Sequence, residues 1–225
     1  ATLSSPETAS RAKPAIWALH PPRMIRAIVD HKIRHPSRKI EQLLRETIDA
    51  ALEIYSNPHH SAAQVERLRS ELLEMKLGRL LTKPLYQERD PQTAYATQPI
   101  FSDLTSTRLE ARLKGDSVLF IALAHGGVAA GMDVYLRYCE LTGNEYSRFY
   151  VTRLSTQKKG DQEPRISPSE IAYLQDLQVC RRVVVFDEDA ASGRTIRTAQ
   201  NYFANVLDRG DVIPIINLDQ DGIFQ

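Results

Sequence analysis

The sequence of 225 residues has little of what marks several protein classes. Its two cysteines, Cys139 and Cys180, form neither a disulfide framework nor a metal-ligand pattern, so we expect buried, reduced thiols. No apolar run approaches the roughly 18 residues of a membrane span, and the N-terminal ATLSSPETASRAKP has no hydrophobic signal region. Neither sign of charge predominates, because the formal net charge is only +1. These absences predict a cytoplasmic protein that does not bind membranes.

One stretch combines a buried strand, several acids and a loop of small residues. Val183–Phe186 is an apolar, β-branched run typical of a strand that is buried on both faces. Three acids follow at 187–189, then the small, flexible segment 191–195 and a predicted helix over 196–207. Backbone N–H groups at a helix N-terminus suit a phosphate, whereas the acids suit sugar hydroxyls or a divalent cation. The combination indicates a phosphorylated sugar as ligand.

This stretch, VVVFDEDAASGRT, resembles the phosphoribosyl pyrophosphate (PRPP) signature of type I phosphoribosyltransferases. That signature has four hydrophobic residues, two acids, three variable residues and a Thr/Ser-Gly-x-Thr-like turn. The resemblance implies that Asp187 and Glu188 contact the ribose 2- and 3-hydroxyls, and Mg²⁺ through ribose or water, while the following loop holds the 5-phosphate. The order Asp-Glu and the serine at 192 depart mildly from the usual pattern. The PRPP-binding residues implied in this way are Asp187, Glu188, Asp189, Ala190, Ala191, Ser192, Gly193, Arg194 and Thr195.

A second motif, Ala124-His125-Gly126-Gly127, follows the predicted strand 118–124. Paired glycines let the backbone approach a ligand closely. The motif resembles the pyrophosphate loop of the same family, and the resemblance implies pyrophosphate binding by Ala124, His125, Gly126 and Gly127. His125 stands where Arg or Lys is usual, so this loop offers less positive charge to pyrophosphate than the family pattern implies. The glycine spacing does not fit the dinucleotide-binding pattern G-x-G-x-x-G, and no Walker A sequence occurs.

Basic residues lie between these two motifs, with Arg153 at the end of the second predicted strand and Lys158 and Lys159 in a polar loop. A Lys-Lys-Gly sequence is also common in solvated turns that bind nothing. The family resemblance implies instead that these cations close over the departing pyrophosphate. Cations on the leaving group and exclusion of water stabilise an oxocarbenium-like transition state. The implied catalytic residues are Asp187, Glu188, Arg153, Lys158 and Lys159.

Strands alternate with helices from residue 118 onward, which predicts a parallel sheet with right-handed crossovers. We expect an α/β protein: a parallel-sheet, type I phosphoribosyltransferase-like core with a helical N-terminal region. Its three parts are a flexible tail (1–14), a helical cap or dimerisation region (15–100) and the α/β domain (101–225). A homodimer is the expected assembly. The predicted strands are 118–124, 146–152, 183–186 and 212–218; the predicted helices include 22–35, 37–57, 61–81 and 102–114, and 82–100 is predicted to be a connection.

The expected function is transfer of the 5-phosphoribosyl group from PRPP, with Mg²⁺, to a nitrogenous, base-like acceptor, with release of pyrophosphate. One alternative is a non-catalytic protein that senses PRPP or a nucleotide and binds nucleic acid or a protein partner. The basic block Arg11–Lys39, with eight Lys/Arg against Asp30 alone, supports a polyanionic partner or is a solvated helix face. A third possibility is a phosphatase with Asp187 as nucleophile, because a strand followed by Asp-x-Asp also resembles the start of the haloacid-dehalogenase phosphatase motif.

Overall fold

The structure is a computed structural model that describes residues 21–57, 62–78, 91–156, 160–190 and 192–219, apart from the side chains of residues 62 and 91–93. The chain divides into two compact units, residues 1–86 and 87–225. The predicted tail, residues 1–14, lies outside the described residues. None of the described helices is both long enough and apolar enough to span a lipid bilayer.

The described part of the first unit is helical, as predicted. Its helices are α1 (Pro21–Arg34), α2 (Arg38–Ser56) and α3 (Ala62–Glu74). The predicted cap of α2 is confirmed, because the Ser37 side chain accepts a hydrogen bond from the Ile40 N–H at 3.3 Å. Apolar side chains at helical spacing form the core of this unit, among them Ile25, Ile28, Leu44, Ile48 and Leu72.

Helix α3 ends earlier than predicted. Lys76 adopts a left-handed conformation with φ of 58°, and its N–H donates to the Leu73 carbonyl at 3.0 Å. The Leu77 N–H donates to the Leu72 carbonyl at 2.7 Å. This pair of bonds is a Schellman motif, which terminates a helix even where the apolar spacing continues. The predicted end at Leu81 is therefore wrong, and residues 79–81 lie outside the described part of the chain.

The second unit contains the alternating helices and strands. The segment 82–100, predicted to be a connection, instead contains a short helix and the start of a longer one. Packing explains the difference, because the Asn217 side-chain amide donates to the Ala96 carbonyl at 3.1 Å and reaches the Ser102 hydroxyl at 3.4 Å. The elements are α4 (Pro91–Ala96), α5 (Pro99–Leu113), β1 (Val118–Ala124), α6 (Gly127–Thr142), β2 (Arg148–Arg153), α7 (Pro168–Leu177), β3 (Arg182–Ala190), α8 (Arg194–Val206) and β4 (Ile213–Asp219).

The four strands form one parallel sheet in the order β2-β1-β3-β4, which confirms the predicted α/β class. Every residue of the central strand β1 is buried. Helix α6 covers one face, where Phe186 lies against Gly131. On the other face, by the alternation of strand side chains, the Tyr150 hydroxyl donates to the buried Glu170 carboxylate of α7. The sheet is thus a middle layer between helices.

Strand β3 is longer than predicted. It pairs with β1 only as far as Ala122 and Phe186, but continues beside β4 to the pair Ala190 and Asp219. The acids 187–189 therefore lie within the strand, and the prediction that they follow it is wrong. The pairing with β4 supplies the backbone hydrogen bonds that extend the strand through these polar residues.

Candidate functional site

The candidate site lies at the carboxyl ends of β1 and β3. The strand order makes the connections after these two neighbours leave in opposite directions. Beyond Ala122 and Phe186 the two strands are no longer paired with each other, because β1 continues along β2 while β3 continues along β4. Open α/β sheets bind their ligands at such a switch point.

The turn after β1, residues 125–127 and here called the glycine turn, is in contact with Glu188 of β3. A Cβ added at Gly126 would lie 1.5 Å from Glu188 Oε1 and 2.1 Å from its Cδ, and one at Gly127 would lie 3.4 Å from Oε2. Gly126 is therefore required for this position of the carboxylate. The structure thus brings together two predicted motifs that are about sixty residues apart in the sequence.

Glu188 is at the N-terminus of α6, whose N-cap Gly126 provides no side-chain cap. A carboxylate in this position is favoured by the helix dipole. Its Oε2 is nevertheless buried and has no hydrogen-bond partner among the described residues. An unsatisfied buried carboxylate oxygen is costly, so this atom is a ready acceptor for a ligand hydroxyl or a cation.

The neighbouring Asp187 holds its proton more tightly than an ordinary aspartate. The Glu188 backbone N–H donates to Asp187 Oδ1 at 3.2 Å. Burial, followed by the charge of Glu188, raises the pKa of Asp187 well above its ordinary value. Asp187 therefore keeps its proton to a higher pH than an exposed aspartate and is able to donate to a ligand oxygen.

The described acids at the switch point are too few to hold a metal ion by themselves. The described residues contain no group of three or more His, Cys, Asp or Glu side chains that would hold a metal ion. Mg²⁺ commonly takes one or two carboxylates and completes its octahedron with water and substrate phosphates. The Glu188 carboxylate fits a Mg²⁺ ion that arrives with a polyphosphate, not a metal held by the protein alone.

The remaining residues of the pyrophosphate prediction lie beside this contact. Ala124 is buried, and the peptide bond that joins it to His125 is cis. His125 is half-buried, and its carbonyl accepts from the Val128 N–H at 3.5 Å. Ala124, His125, Gly126 and Gly127 therefore all lie at the switch point, although their role in binding remains a prediction.

The turn that leads into α8, residues 192–195 and here called the Ser-Gly turn, includes the first two residues of the helix and contains most of the predicted 5-phosphate site. Gly193, the N-cap, is buried and left-handed with φ of 64°, a conformation that favours glycine. It offers no side-chain cap, so the first N–H groups of α8 depend on other acceptors. Ser192 and Arg194 are exposed, and the Arg194 N–H donates to Ser192 Oγ at 3.4 Å. Ala191 lies outside the described residues.

Arg153, the predicted catalytic cation, is paired with an acid that sequence reasoning missed. Its Nε lies 3.5 Å from Oδ2 of Asp161, whose side chain is only 1% exposed. Asp161 also accepts from Arg165 Nε at 2.9 Å and from the Ser155 N–H at 3.0 Å. Burial alone would raise the pKa of Asp161, but these hydrogen bonds and the arginine charges hold it below the ordinary value. Lys158 and Lys159, the other predicted cations, lie outside the described residues.

A second missed residue connects this region to the Ser-Gly turn. The hydroxyls of Thr156 and Thr195 are 2.8 Å apart, although 39 residues separate them in the sequence. Nothing in the local pattern around Thr156 marks it as a site residue. The acid Asp161, directly after a Lys-Lys-Gly sequence and four residues before Arg165, was the available signal.

The basic block of the first unit is not one solvated face. Lys32 is only 4% exposed, and Arg23 and Arg26 are half-buried on α1. Exposed cations occur instead at the connection between α1 and α2, from Arg34 to Lys39. Residues 11–20 of the block lie outside the described residues.

Comparison with known proteins adds nothing to this geometry. No protein-family model, curated protein or solved structure matches the chain. Its function must therefore be inferred from its own residues.

Proposed function

We propose that the second unit binds PRPP and transfers its 5-phosphoribosyl group to a nitrogenous acceptor, in a type I phosphoribosyltransferase-like fold. The observation that carries this proposal is the contact between Glu188 and the glycine turn. Two motifs that independently resemble the PRPP signature and the pyrophosphate loop meet at the switch point of a parallel sheet. A chance resemblance of either motif would not require them to meet there.

Each predicted group has a chemical role in this proposal. The carboxyls of Asp187 and Glu188 bind the ribose diol. The Asp187 carboxyl donates a hydrogen bond to one hydroxyl, and the Glu188 side chain accepts one from the other. The N–H groups of the Ser-Gly turn bind the 5-phosphate. The glycine turn binds pyrophosphate, and Mg²⁺ bound with PRPP supplies positive charge to that leaving group.

Glu188 cannot stay on the glycine turn while pyrophosphate occupies it. Two like charges about 4 Å apart repel by about 4 kcal/mol at an effective dielectric constant of 20. The carboxylate is at the end of a flexible side chain, so it can rotate toward the ribose hydroxyls. PRPP binding therefore includes a rearrangement of Glu188.

The test is direct binding followed by turnover. Isothermal titration of PRPP with Mg²⁺ should give saturable binding, and a screen of purine, pyrimidine and other nitrogenous bases should find one that causes release of pyrophosphate. Asp187→Asn with Glu188→Gln should abolish transfer and leave the melting temperature within a few degrees of the wild type. If millimolar PRPP does not bind, the proposal is refuted.

A non-catalytic PRPP or nucleotide sensor is the second candidate. It is favoured by His125 in place of a strong cation and by the pairing of Arg153 with Asp161, because both leave less positive charge for departing pyrophosphate. Binding of PRPP without pyrophosphate release from any base would support it, particularly with salt-dependent binding of nucleic acid. The Asp187 phosphatase is disfavoured, because a raised pKa reduces the carboxylate that would act as nucleophile.

A further inference from the structure

We propose that Asp161 is a positioning residue for the phosphate end of the site: it holds the segment after β2 so that the Thr156 hydroxyl meets Thr195. This inference rests on the proposed function, since Thr195 belongs to the predicted 5-phosphate turn. It adds Thr156 to the groups that contact phosphate, and Asp161 as the residue that places it.

Asp161 is a buried acid with several hydrogen-bond partners. Its side chain is 1% exposed, and both of its oxygens are used. Oδ1 accepts from Arg165 Nε, and Oδ2 accepts from the Ser155 N–H and lies near Arg153 Nε. A buried carboxylate with charged and backbone donors is held more rigidly than a surface ion pair.

Asp161 also holds the backbone that precedes Thr156. The Asp161 N–H donates to the Ser155 carbonyl at 3.1 Å, while its carboxylate accepts from the Ser155 N–H. The Arg165 N–H donates to the Arg153 carbonyl at 2.8 Å. The carboxylate therefore fixes the strand end and the backbone directly before Thr156.

The hydroxyl pair of Thr156 and Thr195 leaves one hydrogen for a ligand. Each threonine hydroxyl carries one hydrogen and can also accept. The 2.8 Å bond between Thr156 and Thr195 uses one of the two hydrogens, which leaves the other to donate to an anion at the first turn of α8. When Thr195 donates to Thr156, the free hydrogen is that of Thr156, and a phosphate on the Ser-Gly turn would accept it.

The experiment measures ribose 5-phosphate and pyrophosphate affinity by calorimetry for the wild type, Thr156→Val, Asp161→Asn and the double variant. We expect ribose 5-phosphate to bind about fivefold more weakly to Thr156→Val and up to about fivefold more weakly to Asp161→Asn. The double variant should be no weaker than Thr156→Val alone, because Asp161 acts through Thr156. Pyrophosphate affinity should change less than twofold. Asp176→Asn, an exposed aspartate on α7, is the matched control.

Each outcome has one meaning. Unchanged ribose 5-phosphate affinity in Thr156→Val overturns the inference even if Asp161→Asn fails to fold. Additive losses in the double variant, or equal weakening of both ligands, would mean that Asp161 is structural and does not act through Thr156. If the wild type binds neither PRPP nor ribose 5-phosphate, the proposed function fails and this inference fails with it. If the wild type binds ribose 5-phosphate but the losses in Thr156→Val and Asp161→Asn are additive, only this inference is refuted and the proposed function stands.

Discussion

Replacing Glu188 should make the glycine turn a better site for pyrophosphate. The carboxylate now lies on Gly126, so an incoming anion must either displace it or bind beside it. The repulsion between two unit charges 4 Å apart is about 4 kcal/mol at an effective dielectric constant of 20. Rotation of the side chain lowers this penalty, so we expect Glu188→Gln and Glu188→Ala to bind pyrophosphate about tenfold more tightly, or about 1.4 kcal/mol.

The assay is calorimetric titration with pyrophosphate and, separately, with ribose 5-phosphate. The two ligands should respond in opposite directions, because Glu188 repels pyrophosphate but accepts from the ribose hydroxyls in the proposed site. Glu140→Gln, an exposed acid in the last turn of α6, makes the same change in net charge away from the site and should alter neither affinity. Equal or weaker pyrophosphate binding by both Glu188 variants would refute the assignment of the glycine turn.

Gly126→Ala provides a steric version of the same test. Its backbone, with φ of −63° and ψ of −47°, accommodates alanine, and the atoms nearest to the new methyl group are those of the Glu188 carboxylate. That methyl group would fill the position now taken by Oε1. The gain in pyrophosphate affinity from Glu188→Ala should therefore disappear in the double variant. A gain that persists would place the pyrophosphate elsewhere.

Three further predictions test the structure around the site. The folded chain keeps a proton on Asp187 where the unfolded chain does not, so wild-type stability falls as pH rises from about 4 through the raised pKa. Asp187→Asn removes this slope and should melt higher than the wild type at pH 8 but not at pH 4. Gly131→Val should lower the free energy of unfolding in urea by about 1–3 kcal/mol, because a Cβ there would already lie 2.9 Å from that of Ala122. Tyr150→Phe should cost about 1–3 kcal/mol in the same assay, because it removes a hydrogen bond from the buried Glu170 carboxylate.

Each of these variants has a matched control in the second unit. Asp176→Asn alters an exposed aspartate and should keep the wild-type pH dependence of melting. Gly210→Val adds a side chain where nothing lies within 4 Å of the Cβ, and Tyr146→Phe alters a tyrosine that is 72% exposed. A control that shifts as much as its partner would contradict the corresponding reasoning.

The sheet was predictable because its strands carry their own signal. The run Val118–Ala124 is apolar throughout, and a central parallel strand buries every residue in this way. The extent of β3 was not predictable, since Asp187 has no strand propensity of its own and is held in the sheet by its pairing with Ile216. The early end of α3 was also not predictable, because the spacing of apolar residues does not indicate that Lys76 adopts a left-handed conformation.

The candidate site was predictable only as separate motifs. The sequence contains both the glycine turn and the acids, but no local pattern indicates that Glu188 lies against Gly126. Asp161 was missed because its importance comes from burial and from two arginines on opposite sides of a loop. Such a contact depends on tertiary structure, and spacing alone does not distinguish it from a solvated acid in a basic segment.

The position of Glu188 also distinguishes PRPP from a nucleotide without pyrophosphate as the ligand, by thermodynamic linkage. If ribose hydroxyls draw Glu188 away from the glycine turn, then ribose 5-phosphate must raise the affinity for pyrophosphate, and pyrophosphate must raise that for ribose 5-phosphate by the same factor. A transferase or sensor that binds PRPP benefits from this coupling, because its ligand carries both groups at once. A sensor for a nucleotide without pyrophosphate does not, and for it the carboxylate would remain on the turn. Loss of the coupling in Glu188→Ala, with both ligands still binding, would identify this side chain as the element that connects them.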